Sequence, residues 1–481
     1  MKVLFVAAEV APFAKVGGLA DVAGSLPKAL AGLGHDVRVL MPAYRMVIED
    51  PQWTVEPAGE FEVEGWRATL WHSEAQGLDL WLIGGIEAFD LVEDSRSVYS
   101  PGRNAYLDFS QAALRMQTAT GWLPDVVHAH DWHTGFIPVL MREAPGPDWD
   151  RVASVFTVHN LAYQGEFGAD TLDRVGLPRS LYNMHQLETF GSVNFLKAGC
   201  VFADQVNTVS PTYAREIQTP EYGCRLEGLM AWLAEQGRLR GILNGIDTEV
   251  FDPATDPDIT ARYSSDDRGG KAVCRQALLE EFGLEGGGPL LGVVSRLSEQ
   301  KGFDLILGGM ERLLDLGCSL VVLGTGDPWA ARSLNQWHSR RPERVVLAER
   351  FDVQLAQRIY SGVDAFLMPS AFEPCGLGQM IAMRYGSVPI VRRTGGLADS
   401  VFEGRNGFVF EAKTSEALVE AVERACRTYA DPSKWASVVE AGMREDFGWS
   451  RSAADYVRMY EDALRGKSAQ VDRRDAVADP V

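Results

Sequence analysis

Residues 3–33 of the chain, VLFVAAEVAPFAKVGGLADVAGSLPKALAGL, decide its fold class. The apolar run Val3–Ala8 has the composition of a buried strand and meets a carboxylate at Glu9. Paired glycines follow at positions 17 and 18, and apolar residues then recur at helical spacing over Ala20–Leu33. A strand, a glycine turn and a helix in this order predict the first unit of a parallel α/β sheet.

The glycine turn also suggests a ligand. Gly17 and Gly18 let the backbone approach a ligand closely, the helix N-terminus attracts negative charge, and Lys15 adds a positive charge. A diphosphate is the ligand that this combination favours. A tight strand–helix turn with a solvated lysine explains the same residues equally well. The glycine spacing is not Gly-x-Gly-x-x-Gly, so a nicotinamide fingerprint is not indicated.

The same alternation of strands and helices continues along the 481 residues, a length that favours two domains. Further strands are expected at Val37–Met41, Val126–Ala129, Val152–Val158, Gln205–Val209, Leu290–Ser295, Ser319–Leu323, Val345–Leu347, Ala365–Met368 and Val388–Val391. Alternating apolar and polar residues from Trp53 to Ile83 predict an antiparallel insertion. The pattern predicts two Rossmann-like, doubly wound domains that meet near residues 241–247 and face a central cleft.

Composition limits the partners. The net charge of −20 excludes a surface built for nucleic acid or anionic membranes, because phosphate binding needs clustered Lys and Arg. The six cysteines contain no Cys-x-x-Cys pair and are expected to be free thiols in a reducing compartment. No apolar stretch reaches the ~20 residues of a membrane helix. These features predict a cytoplasmic protein.

One pentapeptide occurs twice. Gly-Gly-Leu-Ala-Asp stands at 17–21 and again at 395–399, once in each half of the chain and each time between a predicted strand and a helix. Chance recurrence is possible in a composition rich in Gly, Ala and Leu. The matching context favours two helix N-termini that present free amides to one cleft.

Histidines and an aspartate follow two strands of the first half. His128-Ala129-His130-Asp131-Trp132-His133 ends one strand, and His159-Asn160 follows the next. Strand alternation puts His128 and His130 on one face and Asp131 on the other. No further cysteine or glutamate completes a zinc set, so binding of sugar hydroxyls is favoured over a metal. For His159, a structural and a functional role are equally supported.

Two charged loops follow strands of the second half. Arg296 and Lys301 are five residues apart in the first, which favours a phosphate clamp over two unrelated surface charges. In the second, Glu373 precedes the glycines of Pro374-Cys375-Gly376-Leu377-Gly378 at a helix start. Backbone amides there are expected to hold a phosphate while Glu373 holds sugar hydroxyls.

Taken together, these segments resemble the bacterial and plastid glycogen (starch) synthases, which are retaining glycosyltransferases of the GT-B fold. The similarity covers nearly all of residues 1–460. It rests on KVGGLADV at 15–22, DVVHAHDWH at 125–133, FTVHNLAYQG at 156–165, VSPTYAREI at 209–217, LNGID at 243–247, FEPCGL at 372–377 and RRTGGLAD at 392–399. The order and number of these motifs make the resemblance specific.

The resemblance implies the roles of the site residues. On the side of the nucleotide, Arg296 and Lys301 would neutralise the diphosphate and Glu373 would bind the 3- and 4-hydroxyls of the glucose. The amides of Cys375, Gly376 and Leu377 would assist Glu373. Phe351 stands where similar enzymes commonly have a tyrosine that stacks on the base.

The same resemblance implies roles for the residues of the first half. Lys15 and Gly18 would contact the donor near its phosphates and glucose, and Asp21 would support their loop. His159 would lie over the anomeric carbon. Asp131 and Asn160 would serve the sugar and acceptor region, and Asn244 would line the cleft.

Three positions depart from the family pattern. Ala371 replaces a usual arginine, Gly378 replaces a usual threonine, and Phe351 keeps the ring of a tyrosine without its hydroxyl. The first two bear on phosphate affinity and the third on the preference for the base.

The expected reaction is the transfer of α-D-glucosyl from ADP-glucose to the non-reducing end of an α-1,4-glucan, without metal or other cofactor. A UDP-glucose enzyme, a phosphorylase with a Schiff-base lysine, or a non-catalytic glucan-binding scaffold remain alternatives. The expected divisions are an N-terminal domain over 1–242, a C-terminal domain over 243–450, a returning helix over 451–465 and a disordered tail over 466–481.

Overall fold

The computed structural model describes residues 1–143 and 149–478, and these form two compact units. Unit 1 comprises Met1–Gly245 and the C-terminal segment that begins at Trp449, and unit 2 is Ile246–Gly448. The chain therefore passes from unit 1 to unit 2 after Gly245, within the predicted turn at 241–247, and returns after Gly448.

The described residues of unit 1 form a nine-stranded sheet and a separate three-stranded sheet. The strands are β1 (Lys2–Val6), β2 (Asp36–Pro42), β3 (Glu56–Val63), β4 (Trp66–Ser73), β5 (Asp79–Gly84), β6 (Val126–His130), β7 (Ala153–Val158), β8 (Glu166–Phe167), β9 (Glu188–Thr189), β10 (Ser192–Asn194), β11 (Gln205–Thr208) and β12 (Leu239–Gly241). The large sheet has the order β12-β11-β7-β6-β1-β2-β5-β4-β3, and the small one has the order β8-β10-β9.

The central strands are parallel, as the sequence predicts, because helices connect them and cover both faces. Strand β1 is entirely buried from Val3 to Val6, which explains its unbroken apolar composition. The predicted antiparallel insertion is confirmed for β3 and β4, whereas β5 also pairs in parallel with β2 and so joins the insertion to the main sheet.

The helices of unit 1 before the crossing connect these strands. They are α1 (Gly18–Gly32), α2 (Arg45–Ile48), α3 (Glu87–Asp90), α4 (Gly102–Ala113), α5 (Gln117–Thr120), α6 (Phe136–Glu143), α7 (Thr171–Arg174), α8 (Phe195–Phe202), α9 (Pro211–Glu216) and α10 (Glu227–Glu235). Helix α1 begins at the second glycine of the paired-glycine turn, because Gly17 is extended and serves as its N-cap.

Unit 2 is built on a six-stranded parallel sheet. Its strands are β13 (Leu290–Val294), β14 (Ser319–Leu323), β15 (Val345–Ala348), β16 (Ala365–Met368), β17 (Val388–Arg392) and β18 (Phe408–Phe410). Its helices are α11 (Gly269–Phe282), α12 (Phe303–Asp315), α13 (Pro328–Arg340), α14 (Val353–Gly362), α15 (Gly378–Arg384), α16 (Gly395–Ser400), α17 (Ser415–Tyr429) and α18 (Pro432–Met443).

The strand order of unit 2, β15-β14-β13-β16-β17-β18, is the doubly wound Rossmann order. Its order reverses between β13 and β16. In unit 1 the corresponding reversal lies between β1 and β6. Ligands of open α/β sheets bind beyond the carboxyl ends of the strands at these reversals. The loops after β13, β16, β1 and β6 are therefore the places where a site is expected.

The returning helix, α19 (Trp449–Ala478), is fixed to unit 1 by a buried polar chain. The Thr157 hydroxyl donates to Asn207 Oδ1, so its oxygen accepts from His128 Nε2, which lies 2.6 Å away. In a neutral histidine the other ring nitrogen is then an acceptor. His128 Nδ1 therefore accepts from the Tyr460 hydroxyl at 2.8 Å. The Asn207 amide also donates to Tyr456. His128 therefore links α19 to the sheet and is not a ligand for sugar hydroxyls.

The disordered tail predicted from residue 466 is wrong for residues 466–478, where α19 continues. Apart from Gly466, this segment is rich in Ala, Gln, Lys and Arg, which favour helix, and the next proline is Pro480. Residues 479–481 lie outside the described part of the chain.

The six cysteines are free thiols, as the sequence predicts. None of the helices in the described ranges is long and apolar enough to cross a membrane.

Candidate active site

The strand reversal of unit 2 brings together two charged residues that are 72 positions apart in the sequence. Lys301 follows β13 and Glu373 follows β16. The Lys301 ammonium donates to both carboxylate oxygens of Glu373, at 2.9 and 2.7 Å, and the Ser370 hydroxyl donates to Glu373 Oε2 at 2.9 Å. The side chains of Lys301 and Glu373 are 19% and 8% exposed. This is a mostly desolvated ion pair, in which each charge depends on the other.

Gly302, directly after Lys301, permits the close approach of the loops that follow β13 and β16. Gly302 has φ of +74° and begins the turn into α12. A β-carbon at this position would lie 2.2 Å from the Pro369 carbonyl oxygen, so only glycine lets the loop after β13 contact the loop after β16. Arg296 lies in the same loop, is exposed, and donates to Gln300 Oε1 at 3.4 Å. Arg296 and Lys301 thus share a loop, and among the described residues Lys301 alone of the two is fixed by a carboxylate.

The second Gly-Gly-Leu-Ala-Asp sequence packs against the backbone of Glu373. The Gly396 amide donates to the carbonyls of Glu373 and Pro374, at 3.2 and 3.3 Å. Gly395 has φ of +44°, and a β-carbon there would lie 1.8 Å from the Glu373 carbonyl oxygen. The expectation of free amides at this helix start is therefore wrong for Gly396, whose amide is used to hold the glutamate loop.

Replacement of Gly395 by alanine is expected to lower the free energy of unfolding by at least ~3 kcal/mol, because it combines a steric clash with a positive φ. Gly404→Ala is the matched control, since Gly404 has φ of +69° and nothing within 4 Å of the added carbon. The control is expected to cost about 1–2 kcal/mol. Urea denaturation measures both, and equal losses in the two variants would show that the loop does not hold Glu373.

The residues after Glu373, from Cys375 to Leu377, form a turn that leads into helix α15. Cys375 is 5% exposed, Gly376 has φ of +73°, and Leu377 is the N-cap of the seven-residue helix α15. Gln379 donates to the carbonyls of Cys375 and Gly376, which fixes the turn. Phe351 is 80% exposed beyond the carboxyl end of the edge strand β15. The turn is rigid, whereas the Phe351 ring is presented to solvent.

The departure at Gly378 has a structural correlate, whereas nothing in the structure explains Ala371, whose hydrogen bonds are made by its backbone. The Ala371 amide donates to the Gln300 carbonyl at 2.8 Å, and its own carbonyl accepts from Arg392 Nη1 at 2.6 Å. A β-carbon at Gly378 would lie 3.2 Å from the Phe366 ring and 3.4 Å from the Tyr360 hydroxyl. Gly378 therefore matches the close packing of the aromatic pair beneath it, and a threonine would require that pair to move.

In unit 1 the glycine turn after β1 closes on a buried carboxylate. Glu9 accepts hydrogen bonds from the amides of Val16 and Gly17, at 2.5 and 3.0 Å, and from the Tyr99 hydroxyl at 2.8 Å. Burial raises the pKa of Glu9 above its usual range, although these three bonds oppose the rise. The Gly17 amide is thus not free for a phosphate, contrary to the expectation, and the donors left at the start of α1 begin with Gly18, since no side chain caps the helix.

Lys15 and Asp21 form an ion pair across this turn. The Lys15 ammonium donates to Asp21 Oδ1 at 2.6 Å, and the two side chains are 39% and 27% exposed. Asp21 lies in the first turn of α1. The carboxylate therefore holds the lysine near the N-terminus of α1.

The loops after β6 and β7 meet through two histidines. His130 Nδ1 lies 3.0 Å from His159 Nε2, and the rings of His128 and His130 are 4.0 Å apart on one face, as strand alternation predicts. Burial lowers the pKa of His159 to about 3 and holds that of His130 well below its usual range. Both imidazoles are therefore neutral at pH 7 and act as hydrogen-bonding groups.

Asp131 connects these two loops through the backbone. It has φ of +56°, which turns its carboxylate toward the His159 amide, and that amide donates to Oδ1 at 2.8 Å. Burial raises the pKa of Asp131 to about 7. Asn160 is half-buried and accepts from the Ala162 amide. Asn244, beyond the edge strand β12, is 5% exposed, and its Oδ1 has no hydrogen-bond partner within the described ranges.

Four residues with defined contacts were not predicted as site residues: Glu9, Tyr99, His133 and Ser370. His133 stacks on Tyr99 at 4.5 Å, and neither of its ring nitrogens has a partner in the described part of the chain. Burial lowers the pKa of His133 to about 3. Two of these residues had a signal in the sequence, because the Glu9 carboxylate and the Ser370 hydroxyl each come shortly after a buried strand. Tyr99 lies in a loop between helices and has no such signal.

The residues in the described ranges contain no group of three or more His, Cys, Asp or Glu that could hold a metal ion.

Comparison with known proteins gives the family. The model of the starch synthase catalytic domain matches residues 2–232, and that of the group 1 glycosyl transferases matches residues 288–428. Glycogen synthase 1 of Methylococcus capsulatus is 43% identical to the chain, covering 100% of this chain and 99% of that one. This chain belongs to the glycogen and starch synthase family. Glycogen synthase of Myxococcus xanthus is also 43% identical, over 96% of this chain and 100% of its own.

Solved structures of this family and its neighbours confirm the fold. The catalytic domain of starch synthase IV from Arabidopsis thaliana, determined with ADP and acarbose bound, has a TM-score of 0.88 and 36% identity, covering 96% of this chain and 99% of its own. Sucrose-phosphate synthase of Thermosynechococcus elongatus has a TM-score of 0.60 at 18% identity over 96% of this chain and 99% of its own, and so shares the fold. The GT-B prediction is confirmed, as is the prediction of a glycogen synthase and hence of a glycosyltransferase.

Proposed function

We propose that this glycogen synthase uses ADP-glucose and transfers its glucosyl group, with retention, to the non-reducing end of an α-1,4-glucan. The observation that carries the proposal is the Lys301–Glu373–Ser370 cluster at the strand reversal of unit 2. It combines a cation suited to a diphosphate with a carboxylate suited to sugar hydroxyls. The ADP in the starch synthase IV structure supports an adenine nucleotide as the leaving group.

On the donor side, the diphosphate replaces Glu373 as the partner of Lys301. In the structure each charge of the pair neutralises the other. When the donor binds, Lys301 and Arg296 stabilise the charge that develops on the departing ADP, and Glu373 accepts from the glucose 3- and 4-hydroxyls. Fixed cations at the developing charge lower the barrier most effectively. The amides of Cys375, Gly376 and Leu377 assist Glu373, and the exposed Phe351 ring stacks on the base.

Unit 1 serves the glucosyl group and the acceptor. Lys15, held by Asp21, and the Gly18 amide contact the donor near its phosphates and glucose. His159 lies over the anomeric carbon, where its neutral imidazole adds no positive charge next to the oxocarbenium-like centre. Asp131 and Asn160 orient the sugar and acceptor, and the buried Asn244 Oδ1 gains a hydrogen-bond partner from the substrate.

Transfer proceeds on one face of the glucose. The bond from C1 to the diphosphate oxygen breaks, the bond from C1 to the acceptor O4 forms, and the O4 proton moves to the departing diphosphate. Retaining hydrolases instead use two carboxylates about 5 Å apart, one of them as a nucleophile. In the proposed complex Glu373 accepts from the glucose 3- and 4-hydroxyls, so its carboxylate is not placed to act as the nucleophile at C1.

Donor preference tests this proposal against its nearest alternative. Initial rates of glucose incorporation into glycogen are expected to be at least tenfold higher with ADP-glucose than with UDP-glucose at equal concentration. Faster transfer from UDP-glucose would contradict the donor assignment. Transfer from glucose 1-phosphate, with the absorbance of pyridoxal phosphate, would indicate a phosphorylase. Glycogen binding without transfer from any donor would indicate a scaffold.

A further inference from the structure

An arginine at the end of strand β17 contacts the loop that carries Glu373. Arg392 is the last residue of β17, and this strand pairs in parallel with β16, with Met368 opposite Val391. Arg392 therefore lies at the carboxyl end of the sheet, level with the start of the loop over residues 369–373. The proposed reaction gives Arg392 no role, so its contacts with this loop have to be explained separately.

The Arg392 guanidinium connects two loops. Its Nη1 donates to the Ala371 carbonyl at 2.6 Å, and its Nε donates to the carbonyl of Glu411, directly after β18, at 3.1 Å. A planar guanidinium that is held at two of its nitrogens has little freedom to turn, and a charged donor forms stronger hydrogen bonds than a neutral one. Arg392 therefore ties the Ala371 peptide to the neighbouring part of the sheet.

The backbone of Ala371 is held from two sides. Its amide donates to the carbonyl of Gln300, in the loop after β13, at 2.8 Å, and its carbonyl accepts from Arg392. The side chain of Ala371 ends at the β-carbon, so this position of the loop is held through its backbone. The bond from Arg392 is one of these two anchors.

The position of the Ala371 backbone bears on that of the Glu373 carboxylate. Ser370, the residue before Ala371, donates to Glu373 Oε2 at 2.9 Å. The Gly396 amide, in the turn after β17, donates to the Glu373 carbonyl at 3.2 Å. The end of β17 and the turn after it thus hold the loop both before Glu373 and at Glu373 itself. Placement matters here, because a shift of about 1 Å in a group that positions a substrate can cost about 100-fold in rate.

We propose that Arg392 is a positioning residue that sets the place of the Glu373 carboxylate, and through it the discrimination between sugars in the donor. This inference rests on the proposed function, in which Glu373 accepts from the glucose 3- and 4-hydroxyls. Without the bond from Arg392, the Ala371 peptide loses one of its two anchors. The Glu373 carboxylate is then no longer held at hydrogen-bonding distance from both hydroxyls, and the enzyme loses the contribution of these hydroxyls to the rate.

Four variants test this role. Arg392→Met keeps the length of the side chain and removes its donors, whereas Arg392→Lys keeps one charged donor. Glu373→Gln is the reference for direct loss of the carboxylate. Arg393→Met is the matched control, because Arg393 pairs with the Glu411 carboxylate and the two side chains are 47% and 77% exposed. Such an exposed pair contributes little.

The measurement is the ratio of kcat/KM for ADP-glucose to kcat/KM for ADP-4-deoxyglucose, with glycogen as acceptor and ADP release as the signal. Both donors carry the same nucleotide, so the ratio reports the contact with the 4-hydroxyl. It does not depend on the fraction of protein that is folded, so a variant that is only less stable keeps the ratio of the parent chain. Inhibition by ADP is measured in parallel to follow the nucleotide side of the site.

The ratio is expected to fall at least about tenfold in Arg392→Met and in Glu373→Gln. It should fall less in Arg392→Lys and stay unchanged in Arg393→Met, while inhibition by ADP in Arg392→Met stays within about twofold of that of the parent chain. Equal losses with both donors in Arg392→Met would overturn the inference and leave the proposed function standing. An unchanged ratio in Glu373→Gln would contradict the proposed role of Glu373, and this inference with it.

Discussion

Replacement of Lys301 by methionine is expected to lower kcat by about 10²–10³-fold with ADP-glucose as donor. Methionine keeps the length of the side chain but cannot stabilise the charge on the departing diphosphate. The lost interaction stabilises the transition state more than it stabilises the bound donor. We therefore expect kcat to fall by a larger factor than the KM for ADP-glucose rises. Lys413→Ala is the control: Lys413 pairs with Glu299 on the same unit, but both side chains are exposed, at 40% and 70%. Such a pair contributes little, so its rates should be those of the parent chain.

The same substitution is expected to lower stability, since it leaves Glu373 buried without its cation. Removing one partner of a buried ion pair costs ~3–5 kcal/mol. The double variant Lys301→Met/Glu373→Gln separates the two effects. Glutamine still accepts from Ser370 and carries no charge, so denaturation should return toward that of the parent chain while activity stays low. Restored activity in the double variant would contradict the role of Lys301 at the diphosphate, as would near-normal kcat in the single variant.

Asp131→Asn is expected to lower kcat/KM at least about 100-fold and to remove a pH dependence. Burial raises the pKa of Asp131 from 3.8 to about 7. Between pH 4 and 7, Asp131 is therefore protonated in the folded chain and ionised in the unfolded chain. The carboxylate therefore costs stability as the pH rises from about 4 to 7, by up to about 4 kcal/mol, and the cost is constant above that range. Asparagine has no such cost and still accepts from the His159 amide.

Urea denaturation at several pH values checks the sign of this effect. The free energy of unfolding of Asp131→Asn minus that of the parent chain should increase from pH 4 to 7 and then level off. The kcat/KM of the parent chain should rise with pH over the same range as Asp131 ionises. Asp204→Asn is the control, because Asp204 accepts from the Ser154 amide at the amino ends of the strands. A pH-independent difference for Asp131→Asn would contradict the account of this carboxylate.

The residues around the two strand reversals could be predicted from the sequence, because each one lies in a segment that follows a strand identified by its apolar run. Arg296, Lys301 and Glu373 in unit 2 and Asp131 and His159 in unit 1 are of this kind. Parallel strands bring their carboxyl ends to one edge, so a position after a strand already indicates an approximate location. Strand order was not available from the sequence, and it is strand order that places β13 beside β16.

Other features depend on contacts that no local pattern carries. The Gly17 and Gly396 amides were expected to be free, but Glu9 and the Glu373 loop accept from them. His128 was grouped with its neighbours for sugar binding, but it bonds to Tyr460, 332 residues away. The helix over 466–478 was missed because a polar, charged segment at a chain end looks disordered unless its helix-forming composition is weighed.

The structure of the reaction product tests the central claim most directly. Purified protein is incubated with ADP-glucose and maltotriose, and the products are analysed by proton NMR and by quantifying ADP. The account predicts one ADP released for each new α-1,4 linkage, with the α-anomeric signal present from the earliest time point. A β-anomeric product, or ADP released together with free glucose and no new linkage, would contradict it.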